Sequence, residues 1–331
     1  MSETINKSVL ITGAAGFLGL SLARALLEQT NYQLLLVDNL VRGRADEEFA
    51  VIQQSNRVQF LAIDLNSSTE IEDLPEVDWV IHLAAQVGVR NVEAGPGKVL
   101  ENNVVSTFKI LDYSRKCKRL KKVFFASTSE VYAGTLAYFD MEVPTPEDTP
   151  LTVLELSEAR GTYSLSKIVG ESALNMAAKE SGLPIVIGRF HNVYGPRMGF
   201  MHVIPELYYR MINNASVMVY SPSHTRSFCF VKDAIRMVMA LTFNNGIYGT
   251  YNIGNPDEEI RMMDLAKQLK ALAHAECTLV AGQETPGSPL RRCPDINRYW
   301  NDIGRFEFTD LEQGLAATMD WYKERLSDRY E

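Results

Sequence analysis

The chain has 331 residues, 46% of them hydrophobic, and a formal net charge of −8. That length and apolar content supply one large core or two joined ones, so about two domains are expected. No dense Lys/Arg run is present, which argues against a nucleic-acid or anionic-membrane partner, and no uncharged run reaches membrane-spanning length. Met1 to Lys7 lacks a basic region followed by a long apolar stretch, so the expected compartment is the cytoplasm. Cys117, Cys229, Cys277 and Cys293 are scattered without a Cys-x-x-Cys spacing or clustered histidines, so neither a metal site nor a disulfide frame is expected.

Ser8 to Thr12 is a short apolar run, and Gly13-Ala14-Ala15-Gly16-Phe17-Leu18-Gly19 leads directly into Leu20 to Leu27, whose composition is helical. Strand, glycine turn and helix in that order are the context of a nucleotide site. Glycines there let the backbone bend sharply and approach a pyrophosphate, whose charge meets helix N-terminal amides. Gly13, Gly16 and Gly19, with Phe17 and Leu18 between them, are the candidate contacts. A second strand, Gln33 to Val37, ends in Asp38, 19 residues past Gly19. A carboxylate at that point accepts from a ribose 2′-hydroxyl and repels a 2′-phosphate, which favours NAD over NADP. Asn39 joins it as a candidate, while Arg42 and Arg44 follow closely and offer a phosphate a partner.

Val58 to Ile63 ends in Asp64 and Leu65, and Trp79 to Leu83 runs into Ala84 and Ala85. In a parallel sheet flanked by helices, ligands lie beyond the carboxyl ends of strands. Asp64 and Leu65 are therefore expected at the adenine edge, and Leu83, Ala84 and Ala85 beside the pyrophosphate and nicotinamide ribose. An aspartate at a strand end also serves as a loop cap. Lys122 to Ser127 and Pro184 to Arg189 continue the alternation of strands and helices to about Pro196. This predicts an α/β fold with a doubly wound parallel (Rossmann) sheet over 1–196. Beyond it the alternation weakens, with helices expected over Ile204 to Asn213, Met262 to His274 and Leu311 to Arg325, and an irregular stretch at Pro286-Gly287-Ser288-Pro289. Residues 197–331 are read as a smaller substrate-binding lobe, with the chain rejoining the first domain near 226–255 and a small ligand in the cleft between the two.

Tyr163 and Lys167 stand four positions apart in Gly161-Thr162-Tyr163-Ser164-Leu165-Ser166-Lys167. On a helix over Thr162 to Glu180 that spacing puts phenol and ammonium on one face, one turn apart. A free phenol with a pKa of about 10 is a poor base near neutrality, and an adjacent cation in a partly desolvated site stabilises its ionised form. Such a tyrosine takes a hydroxyl proton while a neighbouring nicotinamide takes hydride. By itself the pair is more often a packed ring beside a solvated lysine; the glycine turn tips the reading toward chemistry.

Together these features resemble the extended short-chain dehydrogenase/reductases that modify nucleotide sugars, the NAD-dependent epimerase/dehydratase family. The resemblance is carried further by His82-Leu83-Ala84-Ala85, by Asn103 before Val104-Val105-Ser106-Thr107, and by Ser127-Thr128-Ser129-Glu130-Val131-Tyr132. It continues through Arg189-Phe190-His191-Asn192-Val193-Tyr194-Gly195-Pro196, Thr225-Arg226-Ser227-Phe228 and Arg292-Cys293-Pro294-Asp295-Ile296. It implies an enzyme with NAD as cofactor that oxidises C4 of a nucleotide-diphosphate sugar. By resemblance Tyr163 accepts the C4 hydroxyl proton, Lys167 binds the nicotinamide ribose and keeps the tyrosine ionised, Thr128 bonds the sugar O4, and Asn103 lies at the cofactor. Asn192 contacts the substrate phosphate region, and Arg226 with Arg291 or Arg292 holds the diphosphate.

A 4-keto sugar has several fates, and the same residues bear on the choice. Ser129-Glu130 resembles decarboxylases and mannose-nucleotide dehydratases, with Glu130 as base near C5, whereas Ala84 to Arg90 resembles the loop of uronate 4-epimerases, with Arg90 toward an acidic sugar. The leading expectation is a nucleotide-sugar 4-epimerase. The alternatives are a uronate decarboxylase or a 4,6-dehydratase using Glu130, a net 4-dehydrogenase, and a non-enzymatic nucleotide-sensing protein. The insertion over 133–159 fits none of them closely. The resemblance also implies a homodimer through Leu100 to Lys116 and the Tyr163 helix.

Overall fold

A computed structural model of the chain describes residues 7–325 apart from 68–69, 89–91, 93, 160 and 286–287. It divides into two compact units, the first made of residues 1–132, 151–189 and 235–251, the second of 133–150, 190–234 and 252–331. The first boundary thus falls at 189 and not 196, and the returning segment is 235–251 instead of 226–255. Residues 133–150, expected within the first domain, belong to the second.

The first unit is built on a seven-stranded sheet. Its strands are β1 (Ser8–Thr12), β2 (Gln33–Asp38), β3 (Val58–Ala62), β4 (Trp79–His82), β5 (Lys122–Thr128), β6 (Ile185–Phe190) and β11 (Gly249–Ile253), in the order β11-β6-β5-β4-β1-β2-β3. The ladders joining β3, β2, β1, β4 and β5 are parallel. All seven residues of β5 and all four of β4 are buried, the pattern of strands covered on both faces. Numbered outward from β1, the chain winds one way through β2 and β3 and the other through β4, β5 and β6, so the order reverses between β1 and β4. A ligand crevice opens at such a reversal.

Helix α1 (Phe17–Gln29) follows β1 and buries Leu20, Leu22, Ala23 and Leu26. α2 (Glu47–Gln53) is capped by Asp46, whose carboxylate accepts from Phe49 N at 3.0 Å. α3 (Pro96–Lys116) and α5 (Gly161–Ser181), each of 21 residues, lie side by side. Leu10, Val37, Val80, Ile110, Phe125, Leu174 and Ile187 belong to one continuous apolar core beneath them. Lys122 is buried at the start of β5, and its Nζ donates to Leu241 O at 2.9 Å and to Asn244 O. It thereby holds the C-terminal end of the returning helix α7 (Val231–Phe243).

The second unit contains the short helix α4 (Ala133–Tyr138), α6 (Val203–Asn213), α8 (Met262–Leu272), α9 (Asn297–Asp302) and α10 (Leu311–Lys323). Three small sheets accompany them: β7 (Val193–Tyr194) with β10 (Cys229–Phe230), β8 (Ser216–Val219) with β13 (Thr278–Ala281), and β9 (Thr225–Ser227) between β12 (Glu259–Arg261) and β14 (Arg291–Arg292). Part of the insertion is knitted into this unit. Thr145 N donates to Cys293 O at 2.9 Å, Asp295 N donates to Thr145 O at 3.0 Å, and Glu147 accepts Asn252 N at 2.8 Å. No described helix is long and apolar enough to cross a membrane, and all four cysteines are buried and unbridged.

Candidate active site

The glycine turn lies where the sheet order reverses. Gly13 has φ +70°, and a Cβ there would stand 2.8 Å from Ala84 N, so the loops after β1 and β4 touch backbone to backbone. At Gly19 a Cβ would collide with Gly13 O and Ala14, which lets α1 start hard against the turn. Thr12 joins the two strands: its Oγ1 lies 2.7 Å from His82 Nδ1 and accepts Ala84 N at 3.3 Å. Burial and the nearby Lys167 charge lower His82 to about 3, so this imidazole is neutral.

Asp38 lies at the end of β2 with one oxygen accepting Ala15 N at 3.0 Å and the other accepting Leu40 N at 2.8 Å. The loop that follows folds back over the turn. Arg44 N donates to Ala15 O at 3.1 Å, and a Cβ at Gly43 would reach Asp38 Oδ1 at 2.7 Å. A backbone cradle that admits no side chains, an α-helix N-terminus and a carboxylate at the second strand end fit an adenine dinucleotide. Gly13, Gly16 and Gly19 would hold its pyrophosphate and Asp38 its ribose. Asn39 is exposed beside Asp38, its side chain accepting Val41 N at 3.1 Å.

Three expected cofactor residues have other engagements. Asp64 accepts Asn66 N at 2.9 Å and closes its own turn, the capping role a strand-end aspartate also fills. Leu65 points into the apolar core. Asn103 is buried with its carboxamide spent on protein: Oδ1 accepts Gln86 N at 2.7 Å, and Nδ2 donates to Gln86 O at 3.0 Å and Ser166 Oγ at 3.2 Å. It braces the loop after β4 against α5, close to Leu83, Ala84 and Ala85.

Tyr163 and Lys167 lie on α5 as the spacing requires. Tyr163 keeps part of its surface open, yet surrounding protein pushes its phenol upward, and the Glu130 carboxylate adds to that shift. Hydrogen bonding from Thr128 and the charge of Arg42 pull it back. Thr128 Oγ1 accepts Glu130 N at 3.2 Å, which leaves its own proton for the phenol. Ser129 is buried in the same turn. Lys167 is buried, its ammonium 4.8 Å above the Phe125 ring and within the field of Glu171, one turn along the helix. Burial lowers it to about 8. The charge of Arg42, on the loop after β2, also acts on the phenol.

In the second unit β14 runs parallel to β9 with Arg292 opposite Arg226 and Arg291 opposite Thr225. Arg226 donates to Thr225 O and Ser288 Oγ, both at 2.6 Å. Arg291 is exposed and paired through two nitrogens with Glu259, at 2.7 and 2.8 Å, and also donates to Val143 O. Arg292 is buried. Asn192, with φ 36°, donates to Ser227 O at 2.9 Å. Arg90 lies outside the described residues.

The profile of the NAD dependent epimerase/dehydratase family matches residues 9–254. The chain belongs to that family. It is 30% identical, over 98% of its length and 100% of the relative's, to a UDP-N-acetyl-alpha-D-glucosaminuronate decarboxylase of Bacillus cytotoxicus. It is 28% identical to UDP-glucuronic acid decarboxylase 6 of Arabidopsis thaliana, covering 97% of this chain and 90% of that one. Among solved structures, the UDP-glucuronic acid 4-epimerase of Bacillus cereus, crystallised with UDP-glucuronic acid and NAD, superposes with a TM-score of 0.83 at 27% identity, covering 96% of this chain and 99% of that one. NAD is accordingly the cofactor of this family member, and the chain is an enzyme of nucleotide-sugar modification.

Proposed function

We propose that the protein oxidises C4 of a nucleotide-diphosphate sugar bearing a C6 carboxylate and then releases carbon dioxide, as a nucleotide-linked uronate decarboxylase. The observation that carries this reading is Glu130, in the turn that directly follows Thr128 at the end of β5, whose charge adds to the upward shift of the Tyr163 phenol. A carboxylate there has no use in simple 4-epimerisation, whereas chemistry at C5 needs a group that delivers or removes a proton. The similarity to two uronate decarboxylases points the same way.

NAD supplies the hydride acceptor and donor when bound. Tyr163 takes the proton of the C4 hydroxyl, and Thr128 orients that oxygen. A ketone at C4 makes the C6 carboxylate a β-keto acid, so the C5–C6 bond breaks with its electrons drawn toward the C4 oxygen. C5 takes in exchange one proton from solvent, relayed through Glu130 in its protonated form, and Tyr163 returns its own proton to the C4 oxygen when C4 is reduced. Arg226 and Arg292, side by side on β9 and β14, hold the diphosphate by charge-assisted hydrogen bonds, with Asn192 beside them.

A second reading, 4-epimerisation, is supported by the likeness to the uronate 4-epimerase. Mass spectrometry after incubation with UDP-linked uronic acids decides between them. Loss of carbon dioxide is expected; an unchanged mass with inverted C4 would replace this reading with the epimerase, and loss of water would replace it with a dehydratase. We also propose that the chain pairs with a second copy through α3 and α5, which leave Phe108 and Met176 exposed. Light scattering at the monomer mass would refute the pairing.

A further inference from the structure

Behind the reacting groups lies a buried polar network that this chemistry does not use. Arg189, near the end of β6, grips Glu171 of α5 with two nitrogens, Nε to Oε1 at 3.0 Å and Nη2 to Oε2 at 2.7 Å. Its remaining nitrogen, Nη1, donates to Tyr132 Oη at 2.8 Å. Ser127 Oγ donates to the same Glu171 Oε1. All four side chains are at most 5% exposed.

The positions of these residues matter more than the count of bonds. Tyr132 closes the turn that carries Ser129 and Glu130, Ser127 precedes Thr128 on β5, and Glu171 lies one turn beyond Lys167 and two beyond Tyr163. The Arg189–Glu171 pair therefore ties together the three segments that present every proposed reacting group, the guanidinium holding Tyr132 and the carboxylate accepting Ser127. A buried ion pair is by itself weak evidence for stability, since desolvation offsets most of its attraction. A clamp that fixes geometry gives it another purpose, because a small misplacement of reacting groups is costly in rate.

We propose that Glu171 and Arg189 form a positioning unit for the reaction, locking the Glu130 turn against the Tyr163–Lys167 helix and supplying the counter-charge to the Lys167 ammonium. This rests on the reading of Tyr163 and Lys167 given above. Lys167 is faced by Glu171 on its own helix, by His82 on β4 and by the Phe125 ring on β5, with Arg189 on β6 acting through Glu171. Glu130 and Arg42 reach the site through Tyr163. His82 is neutral through the working range, so Glu171 is the charge that favours protonated Lys167.

The test uses the full-length protein loaded with NAD. Glu171→Gln keeps the shape and removes the charge, so the Lys167 side-chain nitrogen, followed by NMR, should titrate lower by about one pH unit. The alkaline limb of kcat should move down with it. Tyr132→Phe keeps the ion pair and releases the Glu130 turn; kcat should fall about tenfold or more with KM and NAD affinity within about threefold. An unmoved lysine titration together with wild-type kcat in Tyr132→Phe overturns the proposal. Should Glu171→Gln fail to fold, Tyr132→Phe and Ser127→Ala decide it, and unchanged kcat in both overturns it. A wild-type protein that converts no nucleotide sugar sinks the functional reading instead, and the substrate-free lysine titration still judges this one.

Discussion

Asp38 accepts a hydrogen bond from Ala15 N at 3.0 Å, so the end of β2 is tied to the glycine turn before any ribose arrives. The carboxylate is held in place by the backbone it must cooperate with. Asp38→Ala should weaken NAD binding by about ten- to a hundredfold, the worth of hydrogen bonds to a charged group. The loss for NADP should be smaller, with Arg42 and Arg44 nearby. Calorimetry with both dinucleotides checks this, and equal losses would remove Asp38 as the selecting residue.

Tyr163→Phe should lower kcat by about a hundredfold or more, the range for a positioned acid or base. NAD affinity should stay within about threefold. Single-turnover measurements and fluorescence titration separate the two quantities. Wild-type turnover in this variant would discard the assignment.

Arg291 and Arg292 adjoin in sequence but differ in setting, the first exposed and the second buried. Arg291 is committed to Glu259 at the surface, and exposed pairs contribute roughly 0–1 kcal/mol. Arg291→Ala should leave KM for the nucleotide sugar within about threefold, while Arg292→Ala should raise it about tenfold or more. Steady-state kinetics on the two variants is sufficient, and the reverse ranking would assign the diphosphate to Arg291.

Burial lowers Lys122 from 10.5 to about 8. Below pH 8 both folded and unfolded chains carry the proton, and the cost of burying the charge is fully present. Between about 8 and 10.5 the unfolded chain binds more protons, so this group's contribution to stability rises with pH. Wild type should therefore gain in stability on Lys122→Met across that window. Taking the difference between the two proteins cancels the tyrosines and cysteines that titrate in the same range. Denaturant melts at pH 7.5 and 10 measure it, and a flat difference contradicts the argument.

A Cβ at Gly170 would meet Phe125 Cζ at 2.5 Å, so α5 lies close on β5 just where Lys167 covers the same ring. Gly170→Ala should cost about 1–3 kcal/mol through overpacking and lower kcat by shifting Tyr163. Thermal melting and kinetics test both effects, and an unaltered melt would show that the ring moves aside freely.

The elements that frame the candidate site are legible in the sequence because their signals are local. A glycine turn between strand and helix, a carboxylate at the next strand end and a Tyr/Lys pair at helical spacing all lie within short windows. What escaped depends on partners distant in sequence. Glu259, 32 positions before Arg291, takes that arginine, and Gln86 and Ser166 occupy Asn103. Leu65 follows a strand end and still turns inward, since position beyond a strand does not decide which way a side chain faces. Glu171 shares the helix face of Tyr163 and Lys167 by spacing, but its partner Arg189 is 18 residues on and carries no local mark. The membership of 133–150 in the second unit rests on backbone pairing with 293–295, for which the sequence carries no periodic mark.

The dinucleotide-binding unit is assembled from three separate stretches, and its outermost strand, β11, is contributed last. On the ribosome the early strands emerge long before that edge exists, leaving β6 with an open flank while nearly sixty further residues are translated. Lys122 meanwhile has no carbonyls to receive its protons. Completion of the cofactor unit therefore waits on synthesis through Tyr251, and a chain halted between β6 and β11 would expose a strand edge to its neighbours.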